Sequence, residues 1–233
     1  STPGVDHGVL GDHHHALGDP PAALDAWRSA HHRALQSGAP YVAVDHGLKI
    51  LAAVPEAERA WWGIHLGRVL LDAGDARRAE RVLQPVCDAR NPDDALVAGD
   101  LLCDVYENVG KGADWTALID RIRDRVEGAG RVGRHAAHCA LAMWSTTHSD
   151  DRAGRDAAET AMALAESPAE IRRAAQRLAF SCLPGRALER AEDAARQALA
   201  ASGDRAQMRV RSLRTLAAVR LWRGHVDEAL QLN

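Results

Sequence analysis

Residues 60–93 read AWWGIHLGRVLLDAGDARRAERVLQPVCDARNPD, and this stretch decides the fold. Apolar and small side chains recur at helical spacing on both sides of a central turn: Leu66, Gly67 and Leu70 before it, and Ala79, Leu83 and Val86 after it. Positions three or four apart share one face of a helix, so the pattern predicts two helices joined at Gly74. Gly67 and Ala79 are small where the helices must approach closely, and Gly74 suits the left-handed conformation that ends a helix. Such a pair cannot cover its own apolar faces, so neighbouring pairs must cover them.

The same turn recurs at a fixed interval, with Gly38, Gly74 and Gly110 each 36 residues after the last. Further breaks, many of them marked by proline, fall between these turns, and proline suits the first turn of the next helix. The sequence therefore predicts a helix at about 5–17 and about six helix pairs, the last incomplete. The predicted ranges are 22–36 with 40–54, 57–73 with 76–89, 93–109 with 113–127, 132–148 with 152–166, 169–182 with 186–201, and 206–223.

The composition agrees with helices and argues against strands. Of the 233 residues, 46% are hydrophobic but only 4% are aromatic, whereas strands favour aromatic and β-branched residues. We expect an all-α fold, a right-handed α-solenoid of helix hairpins that forms one domain over residues 1–233. A helix begins near Gly224 just before the sequence stops, which indicates a piece cut from a longer chain.

The repeat resembles the tetratricopeptide repeat (TPR), whose frame is about 34 residues long. The matching residues around Gly74 are Gly63, Leu66, Gly67, Leu70, Ala79, Leu83 and Val86. Further matches are Trp27, Ala43, Ile50 and Pro55 around Gly38, and Leu102, Cys103 and Tyr106 around Gly110. His31 and Gly47 depart from the motif. The resemblance is strong over about 22–127 and rests on periodicity beyond that range. It implies stacked hairpins whose first helices line a groove for a peptide or a protein partner.

The opening segment resembles a more specific protein class. The run from Asp12 to Trp27, the turn at Gly38–Pro40 and the helix leading to Pro55 look like the start of the repeat region of large LuxR-type and related STAND signal-transduction ATPases of bacteria. This resemblance implies an effector-sensing or protein-interaction arm of a transcriptional regulator. The ATPase and DNA-binding modules would then lie elsewhere in the full-length chain.

Charge and motif content exclude several function classes. The net charge is -3 and the sequence pI is near 6.4, so we expect no direct nucleic-acid binding, which usually goes with a pI above about 9. The sequence has no apolar run long enough to span a membrane, and its four cysteines are widely spaced, as in reduced, cytoplasmic proteins. It has no phosphate-binding GxxxxGK[ST] loop, GxSxG elbow or HExxH motif. We therefore expect no enzyme activity and no cofactor.

Two local clusters have both a functional and a structural interpretation. His135 and His138 are three residues apart, with Cys139 beside them, and could form part of a zinc site in a metal-dependent enzyme. Since three or four ligands must converge on zinc, we expect instead that they line a helix surface. The last complete helix carries many arginines, which could bind an anionic partner but more commonly face water. These arginines are Arg205, Arg209, Arg211, Arg214, Arg220 and Arg223.

The TPR resemblance also implies which residues of the first helices line the groove. These residues are Arg28, His32, Trp61, His65, Arg68, Asp100, Asp104 and Asn108. Arginine can bind a carboxylate with directional hydrogen bonds, and an exposed indole such as that of Trp61 usually has a partner. Two interpretations stay open: a groove for a peptide or a small polar effector, and the solvated faces of a scaffold.

A structural adaptor is the second function class. It would bind a peptide tail or mediate self-association, and it predicts an exposed apolar face at the C-terminal end, because the last helix lacks a finished cap. In the sensing interpretation, a ligand in the groove favours one curvature of the solenoid and so signals to modules outside this sequence.

Overall fold

The computed structural model describes residues 6–203 and 206–232, and within them the chain is entirely helical, with no strand. It contains thirteen α-helices and one 3₁₀ turn in this part. The helices are α1 (His7–Ala16), α2 (Pro20–Gln36), α3 (Pro40–Ala53), α4 (Glu56–Asp72), α5 (Ala76–Cys87), α6 (Pro92–Val109), α7 (Gly112–Arg125), α8 (Arg131–Thr147), α9 (Asp151–Leu164), α10 (Pro168–Cys182), α11 (Leu188–Ala200), α12 (Ala206–Trp222) and α13 (Val226–Gln231), with the 3₁₀ turn at Val126–Gly128 after α7.

The predicted helix ranges are confirmed to within a few residues, because local signals place the ends. Proline opens α2, α3, α6 and α10, where its missing N–H costs nothing. The side chain of Asp75 accepts a hydrogen bond from the backbone N–H of Arg78 at 3.0 Å and so caps α5. A capping box begins α10, with Ser167 and Glu170 each accepting from the backbone of the other. Residue 5, the predicted start of the first helix, lies outside the described residues.

The turns within the pairs are not all alike. Gly38, Gly74 and Gly110 all have a positive φ, between 72° and 79°, as predicted for glycine after a helix. The corresponding turns after α8 and α10 place Ser149 and Arg186 at φ 64° and 53°. A side chain in this region of backbone space is uncommon. The turn after α12 again has glycine, Gly224 at φ 83°, so only two of these pair turns lack it.

The helices form two compact units, the first ending at Arg90 and the second beginning at Asn91. In the first unit, consecutive helices from α1 to α5 pack against one another. Part of its core is built from large residues, Trp27, Ile50 and Trp62 among them. Glycines allow close approach: a Cβ on Gly67 would lie 2.5 Å from Leu83 Cδ2, and one on Gly47 would lie 2.7 Å from Leu66 Cδ1. The predicted small position at Gly67 is confirmed.

The second unit stacks α6 to α13 as pairs, with α8 against both α6 and α10. A large part of its core is alanine, including Ala142, Ala158, Ala179, Ala191 and Ala195, all fully buried. Small side chains let helices approach closely without large aromatic fillers. In each unit the structure therefore confirms an all-α repeat of helix hairpins. Among the described helices, none combines the length and the apolar character needed to cross a bilayer.

Candidate functional site: the Trp61 face of the first unit

Trp61 is a large aromatic residue exposed on the surface of the first unit. Its side chain lies on α4 and is 59% exposed. One face of the indole stacks on the imidazole of His65, one helical turn later, with 5.2 Å between ring centroids and 5° between ring planes. Trp62 meets both rings edge-on. The exposed indole is therefore held in a fixed orientation by its neighbours.

His65 is itself anchored to α2 through His31. The Nε2 atoms of the two rings lie 2.8 Å apart, and His31 Nδ1 lies 2.7 Å from the carbonyl oxygen of Ala43. That carbonyl can only accept, so His31 donates from Nδ1 and accepts at Nε2. His65 must then donate from Nε2. Burial, with the positive charges that His31 and Arg68 can carry, lowers the pKa of His65 to about 4, so the ring is neutral near neutral pH.

His31 departs from the TPR motif for a structural reason. Its ring is buried between α2, α3 and α4, where it touches Trp62 and His65. Burial lowers its pKa, against the opposing effect of the hydrogen bond to Ala43. Gly47, the other departure, is close to Leu66 rather than to His31: a Cβ there would lie 2.7 Å from Leu66 Cδ1 but 3.4 Å from His31 Nδ1.

An ion pair connects α2 and α4 beside this cluster. Arg28 Nη2 donates to Glu58 Oε2 at 2.6 Å, and the Arg28 guanidinium lies 5.9 Å from the centroid of the Trp62 ring. Both side chains are partly exposed. Arg28 therefore lies over Trp62, and His65 stacks on Trp61. The sequence reasoning missed Glu58 and His31, although Glu58 lies three residues before Trp61, a spacing that puts both on one side of a helix.

The other two predicted groove residues of the first unit are exposed. His32 is one turn after Arg28 on α2, and its Nε2 lies 2.9 Å from Gln36 Nε2. Arg68 is on α4, one turn after His65. The five predicted residues of this unit are therefore placed on α2 and α4, the first helices of two successive pairs.

The predicted residues of the second unit have a different environment. Asp100 is only 3% exposed, and its carboxylate pairs with Arg173 of α10. Asp104 pairs with Arg173 Nη1 at 3.0 Å and also with Arg177. Asn108, exposed at the end of α6, donates from Nδ2 to the carbonyl of Asp104 at 2.6 Å. Asp100 and Asp104 therefore do not present free carboxylates in a groove, because both are ion-paired with arginines of their own unit.

Electrostatics account for this buried ion cluster of Asp100, Asp104, Arg173 and Arg177. Burial alone would raise the pKa of Asp104, but the charges of the two arginines outweigh it and hold the pKa well below its usual range. A buried charge is tolerated only when it is paired in this way. Sequence reasoning missed Arg173 and Arg177. Their spacing of four on α10 put them on one face, but nothing local indicated partners about 70 residues away.

His135, His138 and Cys139 lie on one helix, α8. His135 Nε2 and Cys139 Sγ are 3.8 Å apart and buried. Burial raises the pKa of the Cys139 thiol, which is the opposite of activation. In the part of the chain that the structure describes, no group of three metal-ligating side chains converges. The expectation that these residues line a helix surface is wrong for His135 and Cys139, which are buried, whereas His138 is partly exposed.

The arginines of α12 divide into two groups. Arg220 and Arg223 bind the buried carboxylate of Glu192 on α11, Arg220 at 2.7 Å. Arg209 and Arg214 are exposed and Arg211 is partly exposed, whereas Arg205 lies outside the described residues. Part of the predicted basic surface is therefore an internal ion pair.

An exposed apolar face lies at the end of the second unit, as the adaptor hypothesis predicts. Four side chains are at least half exposed there: Leu221, Trp222, Val226 and Leu230. Leu221 and Trp222 belong to α12, and Val226 and Leu230 belong to α13.

Comparison with known proteins gives fold likeness only. No protein-family model matches the chain, and no curated protein matches it. Among solved structures, the crystal structure of MamA protein is similar at 14% identity over 90% of this chain and 87% of that chain, with a TM-score of 0.37. A MamA RS-1 double mutant is similar at 14% identity over 74% and 93%, with a TM-score of 0.41. The TPR domain of P58(IPK) is similar at 15% identity over 97% and 70%, with a TM-score of 0.37. These TM-scores are low, so the architecture rests on the helix pairs themselves.

Proposed function

We propose that this chain is a non-catalytic binding module whose partner contacts the face of α2 and α4 around Trp61. The observation that supports it best is the fixed, exposed indole: Trp61 is 59% exposed while its orientation is set by the stack on His65 and the hydrogen bond to His31. A rigid aromatic residue loses little conformational entropy on binding, which is why tryptophan is common at interaction hot spots. Arg28, His32 and Arg68 supply polar contacts around it.

Selection of peptides against the purified chain tests this proposal. A random peptide library is panned on the wild-type chain, and each enriched peptide is then measured against Trp61→Leu and Trp222→Leu. Trp222 is 56% exposed and lies on α12, so it is a matched control for loss of an exposed indole. We expect peptides whose affinity falls at least about tenfold in Trp61→Leu and is unchanged in Trp222→Leu. Enriched peptides that bind Trp61→Leu as well as the wild type would rule out this face.

The regulatory context is a finer proposal that rests on the sequence resemblance. In it, the chain is a cytoplasmic, effector-sensing arm of a bacterial transcriptional regulator, the ATPase and DNA-binding modules lie in other parts of the full-length protein, and residues 1–233 form one solenoid domain. Thermal melts against metabolites, nucleotides and short peptides test the sensing role, since a ligand of the folded state raises the midpoint. A ligand whose effect survives mutation of the Trp61 face would place sensing elsewhere.

A structural adaptor is the second candidate, favoured by the apolar face of Leu221, Trp222, Val226 and Leu230. Such a face is typical of a binding surface when it is contiguous. Sedimentation of the wild type and of Leu230→Glu over a range of concentrations tests it. Self-association that is lost in the variant would support the adaptor role. A monomer at all concentrations in both proteins would exclude self-association.

A metal-dependent enzyme is the least favoured candidate. Metal analysis of the purified chain checks it directly, because near-stoichiometric zinc would contradict the non-catalytic proposal.

A further inference from the structure

Three tryptophans of this chain share one local arrangement, in which a cation lies over the indole and a carboxylate holds the cation. The three sets are Trp27 with Lys49 and Asp12, Trp62 with Arg28 and Glu58, and Trp144 with Arg123 and Asp120. The cations lie 5.0 to 5.9 Å from the ring centroids. The same cations lie 2.6 to 3.1 Å from a carboxylate oxygen. The arrangement combines attraction to the negative face of the ring with an ion pair.

Trp61 has the indole and the carboxylate of this arrangement but not the cation. Glu58 lies three residues before Trp61 on α4, and such residues are neighbours on a helix surface. Glu58 uses Oε2 for Arg28, whereas Oε1 has no hydrogen-bond partner among the described residues. In the same part of the chain, no cation lies over the Trp61 ring, and 59% of this side chain is open to solvent.

We propose that Trp61 and Glu58 together bind a cationic side chain, an arginine or a lysine, presented by a partner peptide. This inference rests on the proposed function of the Trp61 face and names the chemistry of its partner. The incoming cation lies over the open face of the indole and donates to Glu58 Oε1. It completes the arrangement that Trp62 already makes with Arg28.

The neutral His65 ring stacked on Trp61 favours a cationic rather than an anionic ligand on the other face of the indole. One face of Trp61 is covered by His65, whose pKa of about 4 leaves it uncharged near neutral pH. A neutral ring beneath the indole leaves the negative character of the open face uncompensated. A protonated imidazole would already supply the positive charge. An anionic group over the ring would meet both the negative face of the indole and the carboxylate of Glu58, which is 47% exposed, whereas the neighbouring cation, Arg28, is already paired with Glu58.

Three matched pentapeptides test the inference by NMR. Their sequence is acetyl-Gly-Gly-X-Gly-Gly-amide, where X is arginine, citrulline or glutamate; citrulline has the shape of arginine without its charge. Each is titrated at constant ionic strength into ¹⁵N-labelled full chain, and the Trp61 indole N–H signal is followed. That signal is assigned by its loss in Trp61→Leu. We expect the arginine peptide to bind about fivefold or more tightly than its citrulline twin, the range that a cation over an indole provides.

Two variants make the outcome decisive. Glu58→Gln is expected to reduce binding of the arginine peptide to about the citrulline level, whereas Phe180→Leu, which removes an exposed aromatic ring outside both candidate surfaces, leaves it unchanged. Equal affinity for arginine and citrulline, preference for glutamate, or an unmoved Trp61 signal would each overturn the cation inference. The proposed function is judged separately by the library peptides: their loss of binding to Trp61→Leu supports it even if citrulline binds as well as arginine. Circular dichroism confirms that each variant is folded.

Discussion

The imidazoles of His31 and His65 share one hydrogen bond between their Nε2 atoms, 2.8 Å apart. Because His31 Nδ1 donates to the carbonyl of Ala43, the proton in the shared bond belongs to His65. The bond links α2 to α4 and orients the ring on which Trp61 stacks. A second proton on His31 would have to go to Nε2, where it would collide with the N–H of His65. The neutral His31–His65 pair thus orients the proposed binding face and also stabilises the fold of the first unit.

The first prediction concerns the pH dependence of stability. The pKa of His65 is lowered from 6.5 to about 4 on folding, so between these values the unfolded chain binds more protons than the folded chain. The contribution of His65 is therefore complete above about pH 6.5 and is lost as the pH falls through about 4. We expect unfolding free energy to fall by on the order of 2 kcal/mol from this group. Urea unfolding of wild type and His65→Gln at several pH values measures it.

His32→Gln is the matched control for this pH effect, since His32 is an exposed histidine on the neighbouring helix. The acid-dependent loss should be smaller in His65→Gln than in both the wild type and the control. Equal pH profiles in all three proteins would contradict the prediction.

The second prediction concerns the buried ion cluster of the second unit. Asp104→Asn removes a carboxylate that pairs with Arg173 and Arg177, all three side chains being less than one-fifth exposed. Breaking a buried pair leaves a charge without its partner, so we expect a loss of about 3 to 5 kcal/mol in unfolding free energy. Denaturant unfolding measures it. Asp114→Asn, an exposed partner of Lys111, should cost less than about 1 kcal/mol.

The third prediction concerns the close approach of α4 and α5. In Gly67→Ala the new Cβ would lie 2.5 Å from Leu83 Cδ2, so the buried leucine must move. Overpacking of this kind costs about 1 to 3 kcal/mol. Gly112→Ala is the control, because a Cβ there meets nothing within 4 Å; it should be neutral or gain up to about 1 kcal/mol. Thermal unfolding of the two variants distinguishes them, and equal midpoints would argue against this helix contact.

The fourth prediction concerns the end of the second unit. Glu192 is buried and binds Arg196, Arg220 and Arg223, so it joins α11 to α12. Glu192→Gln leaves these arginines without their carboxylate, and local opening of α12 and α13 should become easier. Hydrogen exchange followed by mass spectrometry should show faster exchange in these two helices. Glu189→Gln, an exposed glutamate in the first turn of α11, should leave the exchange rates unchanged.

Helix positions and turns were predictable from the sequence because their causes are local. Gly38, Gly74 and Gly110 end helices by a backbone conformation that glycine adopts without strain. The proline and aspartate residues at helix starts act within one turn of themselves. These features require no knowledge of which helices meet. The position of Trp61 on a first helix was predicted only through the TPR resemblance.

The chemistry of the candidate site was only partly predictable, because it depends on contacts between helices that are far apart in the sequence. Asp100 and Asp104 match groove positions of the TPR frame, yet Arg173 and Arg177 reach them from about 70 residues further along the chain. A periodic pattern gives the face on which a side chain lies but not what packs against that face. The same is true of His31, whose role depends on Ala43 and His65 together.

The sequence by itself determined an all-helical chain and its turns, since each depends on residues within about one helical turn. The tertiary structure alone decided which charges are neutralised and which stay available. Asp104 is buried and paired, whereas Glu58 keeps one oxygen open beside an exposed indole. The physical reason is that burial and ion pairing depend on distances between helices, which no local sequence pattern contains.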